Sequence, residues 1–581
     1  MNYRKKKTFL CIMMILCLSG CTQSQEATTK KTTSATKETT SKKSSLDVFK
    51  ENDYYSDYQT EETTTIALSS QTTDVKITSA GCYVLEGSLQ KHSIIVDAKE
   101  NDVVRIVLQN ASIQSASTAP IYIKKAKKVI LSLPQGTKNS IIDTDSYEVN
   151  TDKEPTAAIF SKADLTINGS GELQVNASYK NGIQSKDKLK LLDANLQISA
   201  ANDAVKGKDA LYICDGTYTI KANKDGFVTT NQEKGAMILE KGTFHITAKQ
   251  DGIQAATTLR ILNGTYTIVS GGGSVNEVAQ NQQPWGDFKD HEETDEKSSK
   301  GMKSGKAMLI ENGSFSINAH DDAIHSNTTI QIKKGTFTLK SDDDGIHADQ
   351  KLTIEDGTLQ VKQSYEGLEA LHIVIKGGKI SVCASDDGIN AAGEGNPVLE
   401  IFGGYTYVDA YGDGVDSNQD IVMEDGTLLI MGPDTGGNGA LDYDGRFQMN
   451  GGTLIALGSS GMAMAPSSDS KQNSVMFNVD APLAAGKAIY LEDADGKFVI
   501  GAVPTRTIQS IVISSSDVNK NAVYQIMTNG TANKKRDIMA TNATNGDKLT
   551  SLAIEETITT YGNSGMMGKP SGGMPPRGGR P

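Results

Sequence analysis

An Asp-Gly pair, or a close substitute, returns along this chain at an almost constant interval. It stands at Asn181-Gly182, Asp203-Ala204, Asp225-Gly226 and Asp251-Gly252, then at Asp322-Ala323, Asp344-Gly345, Glu366-Gly367, Asp387-Gly388 and Asp413-Gly414. Successive steps are 22, 22, 26, 71, 22, 22, 21 and 26 residues. A second tag, Gly-Thr before an apolar residue, trails the first: Gly216-Thr217-Tyr218, Gly242-Thr243-Phe244, Gly264-Thr265-Tyr266, Gly335-Thr336-Phe337, Gly357-Thr358-Leu359 and Gly426-Thr427-Leu428. An interval in the twenties marks a solenoid, in which each repeat is one coil that buries its apolar face on its neighbours. Stacked coils superimpose equivalent residues, so a carboxylate fixed at one repeat position becomes a file of carboxylates on the surface.

Within a repeat the apolar pattern alternates. Leu211 and Ile213, then Tyr218 and Ile220, fall on one side, with Tyr212, Thr217 and Thr219 on the other, which is the period of a strand. Runs of three to five residues broken by turns leave no room for a helix. The composition agrees, with 56 Gly and only 13 Pro. The expected fold is all-β: a right-handed parallel β-helix of coils about 21–26 residues long over 66–460, interrupted by a loop at 274–303 that holds Trp285. Tyr218, Phe244, Tyr266, Phe315 and Phe337 are expected to stack inside the tube rather than to form a sugar platform. Residues 461–561 lose the repeat but keep strand-like runs, and are expected to cap the open end of the sheets. Residues 562–581 are Gly, Pro, Met and Arg, an expected disordered tail.

The N-terminus has the form of a targeting segment. Arg4-Lys5-Lys6-Lys7 precedes a short apolar run from Thr8 to Leu18 and then Leu18-Ser19-Gly20-Cys21. That order resembles a bacterial lipobox, so residues 1–21 are expected to direct lipidation of Cys21. The chain would then sit on the extracellular face of the cell membrane, held by lipid. The alternative is a plain secretory signal with an incidental cysteine. Residues 22–65 are rich in Thr, Ser, Lys and Glu and poor in apolar residues, and are expected to be a flexible stalk. Cys82, Cys214 and Cys383 are far apart and odd in number, so no disulfide framework or paired-cysteine metal site is expected. A formal charge of −12 argues against a nucleic-acid partner. It suits cations, and suits anionic polymers only where a cation bridges them.

Aligned on the tag, the repeats give a carboxylate file: Asp203, Asp225, Asp251, Asp322, Asp344, Glu366, Asp387 and Asp413, thickened one residue earlier by Asp321, Asp343 and Asp386 and two earlier by Asp342. Three residues later stand Gln184, Lys206, Val228, Gln254, His325, His347, Glu369, Asn390 and Asp416. Coils about 4.8 Å apart would set like charges against one another at roughly 1 kcal/mol per pair in water, and several times that near a protein surface. Something must offset this. Calcium fits, since it takes six to eight oxygen ligands in flexible geometry. Asp321, Asp322, Asp343, Asp344, Asp386, Asp387, Asp413 and Asp416 are the expected ligands, with Asp342, His347, Glu366, Glu369 and Asn390 as further contacts. Two alternatives stand beside it. Aspartates such as Asp203, Asp225 and Asp251 can instead cap turns through backbone amides. His320, His325 and His347 are zinc-ligand types, but oxygen dominates the set.

Repeats such as Asp343-Asp344-Gly345-Ile346-His347 with Asp356-Gly357-Thr358-Leu359, and Asp386-Asp387-Gly388-Ile389-Asn390, make residues 66–460 resemble bacterial extracellular carbohydrate-binding β-helix proteins of the pectate-lyase type, especially family 9 polysaccharide lyases. The resemblance implies surface calcium and an acidic plant or cell-surface polysaccharide as partner. A lyase would also need a Lys or Arg to take the proton next to the uronate carboxylate. Lys206 lies coils away from the richest acidic stretch, nothing singles out Lys333, Lys340 or Lys351, and no Arg falls between Arg260 and Arg446. The expected function is therefore a calcium-loaded, non-catalytic polysaccharide-binding lipoprotein. A calcium-dependent pectate lyase and a structural spacer or adhesin are the alternatives. The sequence does not address oligomeric state.

Overall fold

The computed structural model describes residues 44, 46–55, 57–148, 153–275 and 298–562. The expected signal segment with Cys21, the greater part of the expected stalk, Trp285 and residues 563–581 lie outside them. Strand accounts for 55% of the chain, and no α-helix occurs among the described residues, which form a β-solenoid of about 16 turns of ~23 residues. Each coil contributes one strand to each of three parallel sheets. In one coil these are Val205–Gly207, Ala210–Ile213 and Gly216–Ala222. Each strand pairs in parallel with its counterpart one coil on: Val205 with Phe227, Leu211 with Met237, Tyr218 with Phe244.

The alternation seen in the sequence decides what is inside. Along Gly216–Ala222, Tyr218, Ile220 and Ala222 are buried, while Thr217, Thr219 and Lys221 face water. Parallel register then stacks like on like. Tyr218, Phe244, Tyr266, Phe315 and Phe337 form a column with ring centroids 4.6 to 5.0 Å apart and nearly parallel planes. Stacked rings at this spacing add to area burial at each step. The two glycine tags have different causes. Gly216 has φ of +139°, which a side chain would strain. Gly388 is a close approach: a Cβ there would lie 2.1 Å from Val408 Cγ1 and 2.6 Å from the Gly414 carbonyl oxygen.

The solenoid ends where pairing reverses. Thr453–Gly458 of the last coil pairs antiparallel with Ile508–Ser514, which pairs antiparallel with Ser474–Leu483. A second sheet of Ala488–Glu492, Phe498–Ala502, Val523–Arg536, Met539–Thr544 and Asp547–Ala553 completes this part. The reversal gives the last parallel edge a partner and stops it from templating another chain.

Two expected boundaries move. The insertion closes before its expected end at 303, because Met302–Ser304 is already a strand paired with Ile253–Ala255. The stalk ends earlier than 65. Residues 46–55 lie along the solenoid, with Leu46, Val48, Phe49 and Tyr54 packed near Leu192, Tyr212 and Cys214, and Thr63–Ala67 pairs in register with Gly81–Gln90. A polar segment orders here because of one buried ion cluster. Asp53 is fully buried; its carboxylate accepts from Lys128, from Lys190 (2.8 Å) and from Thr166 Oγ1 (2.7 Å), and its carbonyl accepts from Asn168 (2.9 Å). Burial pushes the Asp53 carboxyl up, but the two ammoniums and the hydrogen bonds outweigh it and hold the group at about 2. Replacing Asp53 by Ala leaves Lys128 and Lys190 facing each other without their shared anion. The expected cost is about 3 kcal/mol, read as faster proteolysis within residues 46–62 and a lower urea midpoint. An unchanged cleavage pattern would show that the apolar contacts alone dock the segment.

Candidate functional site

The tag residues stack in register. Gly182 N donates to the Asp203 carbonyl (2.9 Å), Ala204 N to Asp225 (2.9 Å), Gly226 N to Asp251 (3.0 Å), Ala323 N to Asp344 (2.9 Å), Gly345 N to Glu366 (2.9 Å), Gly367 N to Asp387 (2.9 Å) and Gly388 N to Asp413 (2.9 Å). The long step hides one more member. Gly252 N donates to the Lys300 carbonyl (3.0 Å) and Gly301 N to Asp322 (2.9 Å), so Lys300-Gly301 holds the tag position in the coil that carries the insertion. The tag row therefore runs Asn181, Asp203, Asp225, Asp251, Lys300, Asp322, Asp344, Glu366, Asp387, Asp413, and ends at Gly439, whose carbonyl accepts from Gly414 N (3.0 Å). Three residues on, a second row runs beside it: Gln184, Lys206, Val228, Gln254, Lys303, His325, His347, Glu369, Asn390, Asp416, Asp442. One residue before the tag a third row passes from Asp343 through Tyr365 and Asp386 to Gly412, joined by backbone hydrogen bonds of 2.8 to 3.0 Å.

The first two rows converge across the turn. Lys206 Nζ lies 2.7 Å from Asp203, His325 Nδ1 2.8 Å from Asp322, and His347 Nδ1 2.9 Å from Asp344. The carboxylates also serve the fold. One oxygen of Asp225 accepts from Asp251 N (3.0 Å), one of Asp251 from Lys300 N (2.8 Å), one of Asp322 from Asp344 N (2.9 Å), one of Asp387 from Asp413 N (2.6 Å) and one of Asp413 from Gly439 N (2.6 Å). The turn-capping role is thus real for these residues, but the amide capped belongs to the next coil. Such charge-assisted bonds are about twice as strong as neutral ones.

Compensation varies along the column: upstream, burial with Asp251 and Asp203 next pushes Asp225 up to about 8, and from Lys300 onward the column divides in two. At its middle, the fully buried Lys300 Nζ sits 2.8 Å from Asp321 and 2.8 Å from Asp322. Burial pushes Asp322 up, yet Lys300 and the adjoining imidazoles hold it well below the usual carboxylate range. His347 meets both Asp344 and Glu369 (3.2 Å). Beyond it the balance fails. Burial, with Glu369 and Asp387 next, pushes Glu366 well up; burial, with Asp386, Asp413 and Asp416 next, does the same to Asp387. Asp413 and Asp416 are pushed up to about 7, chiefly by burial. Asp344, at the junction, is pushed well up by burial and by Glu369, despite His347. From Glu366 onward the three rows contain no Lys or Arg. In their midst Asn390, 8% exposed, donates Nδ2 to Glu366 (2.9 Å), while its buried Oδ1 has no partner.

The expected ligand residues therefore fall into three groups. Asp386, Asp387, Asp413 and Asp416 gather with Glu366, Glu369 and Asn390 in the uncompensated stretch. Asp321, Asp322, Asp344 and His347 belong to the stretch that Lys300 and the histidines serve, with Asp343 exposed at its edge. Asp342 does other work: it accepts from Ser274 Oγ (2.7 Å) and Val275 N (3.0 Å) and meets His320 Nδ1 (2.8 Å), fastening the start of the insertion. Among the described residues, three carboxylate or imidazole sets have donor atoms close enough to share one ion: Asp344, His347 and Glu369; Asp322, His325 and His347; Asp321, Asp322 and Asp343. The last two already have Lys300 as cation. Sequence reasoning missed Lys300, although a Lys-Gly pair 22 residues before Asp322-Ala323 was there to be found.

Two outcomes follow from this division. Lys300→Met keeps the aliphatic stem and removes the charge, leaving Asp322 buried without its ammonium. A loss of about 3 kcal/mol in denaturant unfolding is expected, and a loss below a few tenths would mean that the imidazoles suffice. The second concerns pH. Asp413 and Asp416 have folded values near 7 against about 4 unfolded, so between those limits the folded state holds more protons. Metal-free protein must then lose stability as pH rises from about 4 to 8, by roughly 1–2 kcal/mol after solvent screening. The raised His347 acts in the same direction. A thermal midpoint in EDTA that rose steadily over that range would contradict the assignment.

The sequence matches the family described as carbohydrate-binding domain-containing protein over residues 71–345 and 342–476. A curated protein of that description from Acetivibrio thermocellus is 38% identical over 135 residues, 23% of this chain and 47% of that protein, so the chain spans about half the length of the curated relative it matches. A solved structure, the gadolinium derivative of the polysaccharide lyase-like protein from C. thermocellum, is 32% identical and covers 36% of this chain and 91% of its own, with a TM-score of 0.35. The two matched stretches together take in well over half of the chain, and the protein accordingly belongs to the carbohydrate-binding domain-containing family.

Proposed function

We propose that the protein is a calcium-loaded, non-catalytic receptor for an acidic, pectin-like or cell-surface polysaccharide, tethered to the outer face of the cell membrane through lipid on Cys21. The observation that carries it is the stretch from Glu366 to Asp416, where His347 beside Glu369 is the last cationic side chain of the rows, no lysine or arginine follows, and the Asn390 carbonyl oxygen points to no donor. Residues Glu366, Glu369, Asp386, Asp387, Asn390, Asp413 and Asp416 offer oxygen only, the donor type calcium prefers. Calcium there would supply charge neutralisation and open coordination positions for a uronate carboxylate. The protein's residues would hold the ions and leave the polymer's oxygens to complete the shell.

The absence of lysine and arginine from these rows after Lys303, itself only 8% exposed, favours binding over elimination. Removal of the proton beside a uronate carboxylate needs a basic group within hydrogen-bond reach. Lys300 is fully buried between two carboxylates, and Lys206 is paired with Asp203 several coils away.

Calcium is expected to raise the thermal midpoint and EDTA to lower it, and polygalacturonate is expected to be retained only with calcium, without release of unsaturated uronate. Each arm tests one part. No midpoint change removes the metal. Retention of the ion without the polymer leaves the spacer or adhesin reading. A growing ultraviolet absorbance of unsaturated product makes the protein a lyase. A Cys21→Ser variant that stays with the membrane fraction removes the lipid tether.

A further inference from the structure

We infer that Tyr365 is the stacking platform for a sugar ring of the bound polymer, and that the ligand is therefore a pyranose-based uronate rather than any flexible polyanion. The inference rests on the calcium-and-polysaccharide reading above and adds the residue that selects the ring.

The large aromatics of the solenoid column are buried on one another inside the tube. Tyr365 is 48% exposed and lies on the outside, in the row preceding the tag. Its amide donates to the Asp343 carbonyl (2.8 Å) and its carbonyl accepts from Asp386 N (3.0 Å), so the backbone holds it in the file. Burial, with the neighbouring Asp386 carboxylate next, pushes the Tyr365 hydroxyl up, so one edge of the ring lies beside the uncompensated carboxylates. The fold does not ask for an aromatic here. The same position in the other coils, from Lys180 through Ser299 and Asp343 to Gly412, is polar, acidic, basic or glycine, never aromatic.

An exposed ring set among carboxylates is poor for solubility and contributes little burial, but it suits a pyranose. One face of such a sugar is a patch of C–H groups that packs on an aromatic ring, while hydroxyls and carboxylate project from its edge. Tyrosine gives that contact area at low conformational cost. A sugar on Tyr365 lies one row from Glu366, so its carboxylate reaches the file proposed to hold the ions. A linear polyanion without rings gains from the ions alone.

The test uses calcium-loaded protein, polygalacturonate and, as a ringless polyanion, polyglutamate, with binding read by titration calorimetry and calcium loading by the thermal shift. Tyr365→Ala is expected to weaken polygalacturonate about tenfold, to leave polyglutamate unchanged and to keep the calcium shift; Tyr365→Phe is expected to recover most of the loss. Equal polygalacturonate affinity in Tyr365→Ala overturns the platform and leaves the calcium reading intact. Equal weakening of both polymers overturns it in favour of a charge effect. A wild type that keeps its calcium shift but binds no polygalacturonate overturns the platform together with the acidic-polysaccharide reading.

Discussion

The structure depends on the register of its parallel strands. Apart from local shifts such as those at Leu339/Lys340 and Ala348/Lys351, each coil hydrogen-bonds to the next in register along the three sheets, so a residue placed at a repeat position meets its counterpart about 4.8 Å away. For apolar residues this is pure gain: Phe244 on Tyr266 on Phe315 makes a continuous stacked column. For charged residues the same geometry is a liability. The chain nevertheless puts an acid at the tag position in coil after coil, and register forbids it from spreading them apart.

Part of the answer is built into the backbone. Aspartate at the tag is short enough to reach the amide of the following coil's tag residue, as Asp322 reaches Asp344 and Asp387 reaches Asp413. One carboxylate oxygen thereby becomes a rung of the solenoid. Glutamate at 366 has an extra methylene and instead meets the Asn390 side chain. The second oxygen of each group is what needs a cation, and the chain supplies covalent ones only as far as His347. Lys206, Lys300, His325 and His347 each stand within a hydrogen bond of a tag carboxylate; Glu369, Asn390, Asp416 and Asp442, next in the same row, bring no positive charge.

Much of this was legible in the sequence. The spacing of Asp-Gly pairs yields the coil, the alternation around Tyr218 yields the inside and the outside, and the aromatic column follows from both. What escaped were features carried by single residues outside the pattern. Lys300 occupies an acid's place and stands at the end of an irregular insertion, where the count of residues no longer keeps register. Asp53 orders a segment whose composition looks unfoldable, because its partners Lys128, Lys190 and Thr166 are separated from it by 75 to 137 positions. Composition measures how much apolar surface a segment can bury; it is blind to one buried charge that two distant lysines await. The same blindness placed the expected ligands from Asp321 to Asp416 in one class, since only the coordinates tell which carboxylates already have a protein cation.

The division of the file has a further consequence for how ligand and fold are coupled. Any cation that binds the native column and not the unfolded chain stabilises it by mass action. In the proposed acidic stretch the ion would be held by oxygens that also sit on hydrogen-bonded rungs, so ion occupancy and coil stacking share the same side chains. A uronate that completes the ion's shell then tightens the ion, and the ion tightens the stack, by the reciprocity that governs all linked binding. The covalent cations upstream take no part in this. Lys300 is fully buried and already engaged by Asp321 and Asp322, which keeps the middle of the solenoid closed whether or not calcium is present. A column that used exchangeable ions throughout would loosen along its whole length when calcium falls; one that anchors its centre with lysine would confine that response to the coils proposed to meet the polymer.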